Sequence, residues 1–257
     1  MLCMARLSFV WDCVGTPFQL LELPRITQKD LAVLDTSLTV AMWLHIMSRL
    51  QADGLYHSSF SMEMEMDQRI STTCRQAVEL CEKFCREQNN QLILLAKQLG
   101  TLFTEGGHLL IAGHGSLQPV AQQLASQFSF RLGFDRPALP AICLGSDSVL
   151  NGQMIAAGQL EQHLVRHYRA LNTQQHLLLL LSDGSTAAPL IKLRDEVIEN
   201  EQSVVLISGD CQADPLRSAD VGLCLDLATK AIPRQIELAQ FVGHLLCELV
   251  EAELFGR

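Results

Sequence analysis

Positive charge and long apolar runs are both scarce in this 257-residue sequence. Lysine and arginine number 19 against 28 aspartate and glutamate residues, which gives a formal net charge of −9. Such a chain lacks the broad basic surface that a phosphate backbone requires, so we expect no direct contact with nucleic acid. No apolar run reaches the ~20 residues of a transmembrane helix, and Asp12 and Pro17 interrupt the apolar N-terminus before any clean signal-peptide cleavage site. We therefore expect a protein without a membrane segment that binds a protein partner or a small ligand.

Paired CxxC motifs are absent, although the chain has nine cysteines. An odd number of scattered cysteines is typical of a cytoplasmic protein whose thiols stay reduced, and we predict that location and that state. Cys74, Cys81 and Cys85 recur at helical spacing, but zinc sites use tighter pairs, so we interpret them as a buried stripe of small residues. His163 and His167 share a helical face without the glutamate of a zinc-protease motif, and we interpret them as a solvated face. We expect no metal and no other cofactor.

The first 61 residues differ in pattern from the rest of the chain. They hold both tryptophans and end just before a run of methionines spaced two apart, Met62, Met64 and Met66. We interpret residues 1–61 as a poorly ordered extension, or as an over-extended reading frame whose native start is one of these methionines. Residues 62–257 are assigned to a single domain.

Helical and strand patterns alternate through that domain. Residues 67–86 and 88–104 each carry apolar side chains at helical spacing, which predicts a helical hairpin over 67–105. Continuous apolar runs predict strands at 108–112, 140–144, 176–181, 203–207 and 221–226. Helical patterns lie between and after them, at 117–131, within 148–171, at 186–200 and at 232–254. Since the strand runs do not alternate with polar residues, they predict an α/β fold, a three-layer α-β-α sandwich around five parallel strands.

Two loops of this sheet have the composition of anion-binding sites. In HLLIAGHGS an apolar strand leads through glycines to a helix N-terminus, where free N–H groups and the helix dipole converge. LLLLLSDGST repeats the arrangement after another strand, and ligands of parallel sheets bind beyond the carboxyl ends of the strands. The predicted ligand-binding residues are Gly113, His114, Gly115, Ser116, Ser182, Asp183, Gly184, Ser185 and Thr186.

Five segments make the chain resemble the SIS (sugar isomerase) domain family, and within it the branch of the phosphoheptose isomerases and DiaA. They are LLIAGHGS, RLGFDRPALPAICLGSD, LLLLLSDGST, VVLISG and CELVEAELF, and the resemblance covers residues 66–255. It implies a flavodoxin-like sheet and a homo-oligomer, either a dimer or the homotetramer of the DiaA proteins, with phosphosugar sites at subunit boundaries. In the isomerases it also implies proton transfer on sedoheptulose 7-phosphate by a carboxylate base and a histidine acid.

Departures from the family pattern fall in the parts that bind and react. Family hydroxyl residues of the two loops are replaced by Leu117, Asp183 and Ala187, and a carboxylate in an anion site opposes a phosphate. The acidic pair of the helix after the first loop corresponds to Ser126 and Gln127. Loss of a general base typically costs ~10²–10⁴-fold in rate, so the pattern indicates a SIS fold without isomerase chemistry.

Two functions of different classes are compatible with this pattern. The one we prefer is a DiaA-like, non-catalytic regulator that binds the replication initiator DnaA through Leu254 and Phe255, unless that pair only packs on the oligomer core. The alternative is a phosphoheptose isomerase-like enzyme, in which Glu237 and His244, seven positions apart on one helical face, form a relocated acid-base pair; His244 stands where the isomerases have their acid histidine. A SIS protein with neither activity is a third reading.

Overall fold

The computed structural model describes residues 55–171 and 175–256 of the chain. Residues 1–54, which make up most of the predicted extension, lie outside the described residues, so the extension and its start site stay predictions. The unit Gln68–Arg257 contains the whole sheet. Its strands are β1 (His108–Gly113), β2 (Ala141–Cys143), β3 (His176–Ser182), β4 (Ser203–Ser208) and β5 (Leu223–Asp226). The helices are α1 (Leu55–Thr104), α2 (Gln118–Ser129), α3 (Ser148–Ala156), α4 (His163–Leu171), α5 (Ala188–Glu199) and α6 (Ile232–Phe255).

All five strands pair in parallel, in the order β2-β1-β3-β4-β5, which confirms the predicted α/β sandwich. Successive residues of β1 alternate between the two faces of the sheet. Leu109 and Ile111 join the core cluster that includes buried residues of α1, α2 and α6. Leu110 and Ala112 join the second cluster, which includes residues of α4 and α5. Because both faces are covered, the strand sequences can be apolar throughout.

The predicted helical hairpin is wrong, because α1 runs unbroken for 50 residues from Leu55 to Thr104. The polar stretch at residues 87–90 suggested a turn, but residues 55–99 contain neither glycine nor proline, the residues that end helices most effectively. The helix therefore continues through that stretch although the stretch holds no apolar residue. One face of its C-terminal part, from Phe84 to Leu102, is buried in the core, whereas Ile70 further up the helix is 68% exposed.

The segment between α2 and β2 is attached to the last helix by a buried ion pair. Arg136 Nε donates to Glu251 Oε1 at 2.6 Å, and the two side chains are 0% and 4% exposed. The guanidinium also donates to the carbonyl oxygens of Phe128, Pro137 and Gln127, while Leu132 N donates to Glu251 Oε1. Together these hydrogen bonds fix the end of α2 and the chain that follows it to the last helix.

The sequence predicts that the cysteines remain reduced thiols, and for two of them this prediction is wrong. Cys211, three residues beyond β4, forms a disulfide with Cys224 in the neighbouring strand β5, since the turns of residues 212–222 bring the chain back beside its own starting point. Nor do the three helical cysteines form a buried stripe, because Cys74 and Cys85 are exposed and Cys81 is half-buried. They lie N-terminal to most of the α1 residues that are buried in the core.

Candidate functional site

The strand order of the sheet defines where a ligand site belongs. β1 lies between β2 and β3, so the chain passes from β1 to β2 on one side of β1 and then crosses to β3 on the other side. The crevice at this switch in strand order opens beyond the carboxyl ends of β1 and β3. The two glycine loops follow these two strands. A Cβ built on Gly115 would lie 4.0 Å from Asp183 Oδ2, so the loops face each other across the crevice.

The first loop keeps the tight backbone of an anion site. Gly113 packs so closely that a Cβ would lie 2.6 Å from the carbonyl oxygen of Leu117, and Gly115 adopts a φ of +54°. His114 and Ser116 are exposed, whereas Leu117, at the position of the family hydroxyl, is buried in the core. A short 3-10 turn, Gly115–Leu117, leads directly into α2.

Gln118 fills this loop from within. Its Oε1 accepts the hydrogen bond of Gly113 N at 3.1 Å, and its Nε2 donates to the carbonyl oxygen of Leu144 at 2.8 Å. The amide thereby joins the ends of β1 and β2 and uses a backbone N–H that an anion would otherwise take. The sequence gives no sign of this role, because glutamine at the start of a helix does not indicate a contact with the end of the neighbouring strand.

Asp183 fills the second loop in the same way. Its Oδ1 accepts hydrogen bonds from Ser185 N at 3.0 Å and from Ser185 Oγ at 2.6 Å. Ser182 is buried at the end of β3, and its Oγ accepts from Gly184 N at 3.1 Å, while Gly184 takes a φ of +83°. Thr186 is exposed. The chain's own carboxylate therefore occupies donors that would serve a ligand oxygen.

The Asp183 carboxylate is held in its charged form. Burial by itself would raise its pKa, but the hydrogen bonds from Ser185 and the nearby His114 outweigh that effect, and the pKa lies below its usual value. A carboxylate that stays ionised at neutral pH places a permanent negative charge at this end of β3.

His163 and His167 do not form the solvated face that the sequence predicted. Both are half-buried over the turn at Gly145, where Gly145 N donates to His167 Nδ1 at 3.3 Å and a Cβ on Gly145 would lie 3.5 Å from His163 Nε2. Burial lowers the pKa of His167, Asp147 opposes this, and His163 adds to it. The pair packs the β2 turn because glycine leaves room there. Among the described residues, no three metal-ligating side chains come together to hold an ion.

Glu237 and His244 do not meet as an acid-base pair. Glu237 is exposed and pairs with Arg234 at 2.7 Å, whereas His244 is half-buried and hydrogen-bonded to Gln240, with 2.7 Å between Nε2 atoms. Their catalytic roles stay predictions. Leu254 and Phe255 are both half-buried against the core, and the Phe255 ring packs edge-on to Phe134 at 6.0 Å.

Comparison with known proteins shows relatives in one group. No family model matches the chain. A phosphoheptose isomerase of Thermodesulfovibrio yellowstonii is 25% identical over 192 residues, which are 75% of this chain and 94% of that protein. The phosphoheptose isomerase of Aneurinibacillus thermoaerophilus is 25% identical over 197 residues, 74% of this chain and 96% of that protein.

Solved structures of the same group share the fold. A phosphoheptose isomerase from Francisella tularensis superposes with a TM-score of 0.64 at 20% identity, over 71% of this chain and 96% of that one. One from Neisseria gonorrhoeae also gives 0.64, at 15% identity, over 73% and 99%. None of the helices in the described ranges is both long and apolar enough to cross a membrane.

Proposed function

Since this chain is a SIS-fold relative of the phosphoheptose isomerases, we propose that it acts by binding rather than by catalysis. One observation carries the proposal: each of the two anion loops is filled by an oxygen atom of the chain itself, Gln118 Oε1 in the first and Asp183 Oδ1 in the second. A phosphosugar entering the crevice would have to displace one acceptor and approach the charge of the other. Proton transfer would further need a base, and the two candidate groups of α6 have other partners.

We expect the purified protein to turn over sedoheptulose 7-phosphate at no more than the background rate. His244→Ala should give the same background, because an idle histidine contributes nothing to the rate. The measurement is conversion of the sugar phosphate over hours, with a phosphoheptose isomerase as the positive control. Turnover that falls ~10²-fold or more on His244→Ala would refute the binding role, since that is the size expected for loss of a general acid.

A phosphoheptose isomerase is the second candidate function, and the comparisons favour it more than they favour a regulator. Both relatives described above carry that name, and the chain matches 94% and 96% of their length. In this case the ligand is a sugar phosphate, and Ser116, Ser182, Ser185 and Thr186 supply the hydroxyls that bind it. The turnover measurement separates the two functions directly.

The regulator we propose is a cytoplasmic homo-oligomer, a dimer or tetramer, that binds the replication initiator DnaA. Exposed apolar side chains on α1, among them Ile70 at 68% and Val78 at 50%, support an oligomer because single chains rarely leave such residues along one helix uncovered. An oligomer that repeats one weak site gains strength through effective concentration, which suits a protein that gathers several copies of a partner.

Replacing both Leu254 and Phe255 by alanine is expected to abolish capture of DnaA while the oligomer stays intact. The matched control is Phe130→Ala, which removes an aromatic ring that is 65% exposed elsewhere on the surface. Pull-down with the initiator, followed by sizing of the same samples, provides both readouts. Phe255 also packs on Phe134, so the double variant could lose its oligomer for structural reasons. In that case Leu254→Ala alone is tested. Full capture by an intact variant would contradict the assignment.

A further inference from the structure

The disulfide between Cys211 and Cys224 lies at the β4-β5 edge of the sheet, at the end of β4 that faces the candidate site. We propose that this disulfide is a reversible, redox-sensitive clamp that fastens the edge strand β5 to the segment following β4. The inference does not depend on the proposed function. It rests on what the bond joins, on the state of the other cysteines and on the contacts that connect the clamped segment to the carboxyl edge.

Besides the disulfide, the strand is held by its pairing with β4 and by the buried side chain of Leu225. β5 has four residues, lies at the edge of the sheet and pairs only with β4 in that sheet. Residues 209–222, all of them described, form turns without helix or strand. The bond joins the beginning of this segment to the second residue of the strand that follows it. Breaking the bond removes the covalent constraint on both, and an edge strand so released exposes unpaired backbone groups.

Part of the segment stays anchored without the disulfide, so a change of redox state is local. Asp214 accepts hydrogen bonds from Ser208 Oγ at 2.5 Å and from Leu216 N at 2.8 Å, and both partners are fully buried. Leu216 and Val221 belong to the second core cluster. The fold therefore survives reduction, while residues 209–213 and β5 lose their covalent link.

The clamped segment continues directly into the carboxyl edge of the sheet. Thr229 N donates to the carbonyl oxygen of Gly209 at 2.9 Å, and the buried Gln235 on α6 donates through Nε2 to the carbonyl oxygen of Thr229. Gly209 packs so closely that a Cβ would lie 2.3 Å from that same oxygen. Movement of residues 209–211 therefore reaches the start of α6.

The free state of the other described cysteines supports a reversible bond. Five further described cysteines are free thiols, and Cys74 and Cys85 among them are exposed. Proteins built for an oxidising compartment rarely keep exposed free thiols beside a disulfide, whereas disulfides in reducing compartments are usually transient or redox-sensing. Reduction proceeds by thiol-disulfide exchange: two glutathione thiols supply two electrons and two protons, the Cys211–Cys224 bond breaks into two thiols, and one molecule of oxidised glutathione forms.

The test uses the full-length protein in glutathione buffers that range from fully reduced to fully oxidised. Thiols are trapped by alkylation and counted by mass spectrometry, and the same samples are followed by thermal unfolding and by hydrogen exchange. We expect Cys211 and Cys224 to change together across the glutathione range. We expect the oxidised protein to melt roughly 6–12 °C above the reduced protein, the shift that a disulfide closing a loop of this size gives in a domain of this size.

Two variants serve as matched controls. Cys211→Ser with Cys224→Ser should melt at one temperature in both buffers, and Cys74→Ser should keep the full shift of the wild type. Faster hydrogen exchange in residues 209–226 on reduction, with slow exchange retained in β1 and β3, supports a local clamp. A bond that stays closed in the most reducing glutathione buffer, or thiols that never pair in the oxidised one, would overturn the proposal. Because wild-type protein in two buffers suffices, the conclusion does not depend on the variants folding.

Discussion

Replacing Asp183 by threonine is expected to raise the affinity of the protein for a sugar phosphate roughly 10- to 100-fold. At about 4 Å and an effective dielectric of about 20, two like charges repel by about 4 kcal/mol. Asp183 is only half-buried, so solvent screening reduces this to roughly 1.5–3 kcal/mol, and each 1.4 kcal/mol corresponds to a tenfold change in affinity. Removing the carboxylate also frees Ser185 N and Oγ, and threonine restores the hydroxyl that the family carries at this position.

Titration with sedoheptulose 7-phosphate, by calorimetry or by shifts in melting temperature, measures the change. Asp183→Asn removes the charge while it keeps an acceptor for Ser185, so it should gain less than Asp183→Thr. Asp195→Asn, on the exposed side of α5, controls for net charge and should leave the affinity unchanged. Unaltered affinity in both Asp183 variants would mean that the carboxylate does not keep phosphate out of the loop.

Glu251→Ala is expected to lower the free energy of unfolding by roughly 3–5 kcal/mol, the usual cost of leaving one member of a buried ion pair without its partner. The guanidinium of Arg136 would remain 0% exposed with its charge uncompensated, and Leu132 N would lose its acceptor. Urea unfolding followed by circular dichroism measures the loss. Glu253→Ala, on the exposed side of the same helix, should cost less than about 0.5 kcal/mol.

A double variant separates the ion pair from the packing around it. Arg136→Met with Glu251→Leu removes both charges and keeps similar volume, so it should be more stable than Glu251→Ala alone. Full recovery is not expected, because the carbonyl oxygens of Phe128, Pro137 and Gln127 lose the donor they now share. A loss below about 1 kcal/mol in Glu251→Ala would show that the pair is dispensable.

Local pattern was enough to predict the sheet. β1, β3 and β4 begin at the predicted residues and extend by one residue at their ends, because each is a continuous apolar run followed by glycine or serine. The predicted break in α1 also came from local pattern, the polar stretch at residues 87–90, and there it was wrong. A polar stretch is compatible both with the exposed face of a helix and with a turn, and a glycine or proline would have distinguished the two.

Contacts between distant residues could not be predicted from the sequence. The loops were identified by their glycines, but the way Gln118 and Asp183 fill them depends on side-chain conformation within each loop, which a residue pattern does not specify. Arg136 and Glu251 lie 115 positions apart, and no periodicity connects them. The Cys211–Cys224 pairing was missed because connectivity does not follow from the number and spacing of cysteines.

Because Arg136 and Glu251 are far apart in sequence, the arginine is synthesised well before its partner. A ribosome adding about 5–20 residues per second needs roughly 6–23 s to pass from the arginine to the glutamate. Until then the nascent chain holds a cation that the finished fold buries, and burial without its partner is unfavourable. We therefore expect the loop before β2 to close late, and a chain released before its last helix is complete to be a substrate for chaperones and proteases rather than a shorter version of the domain.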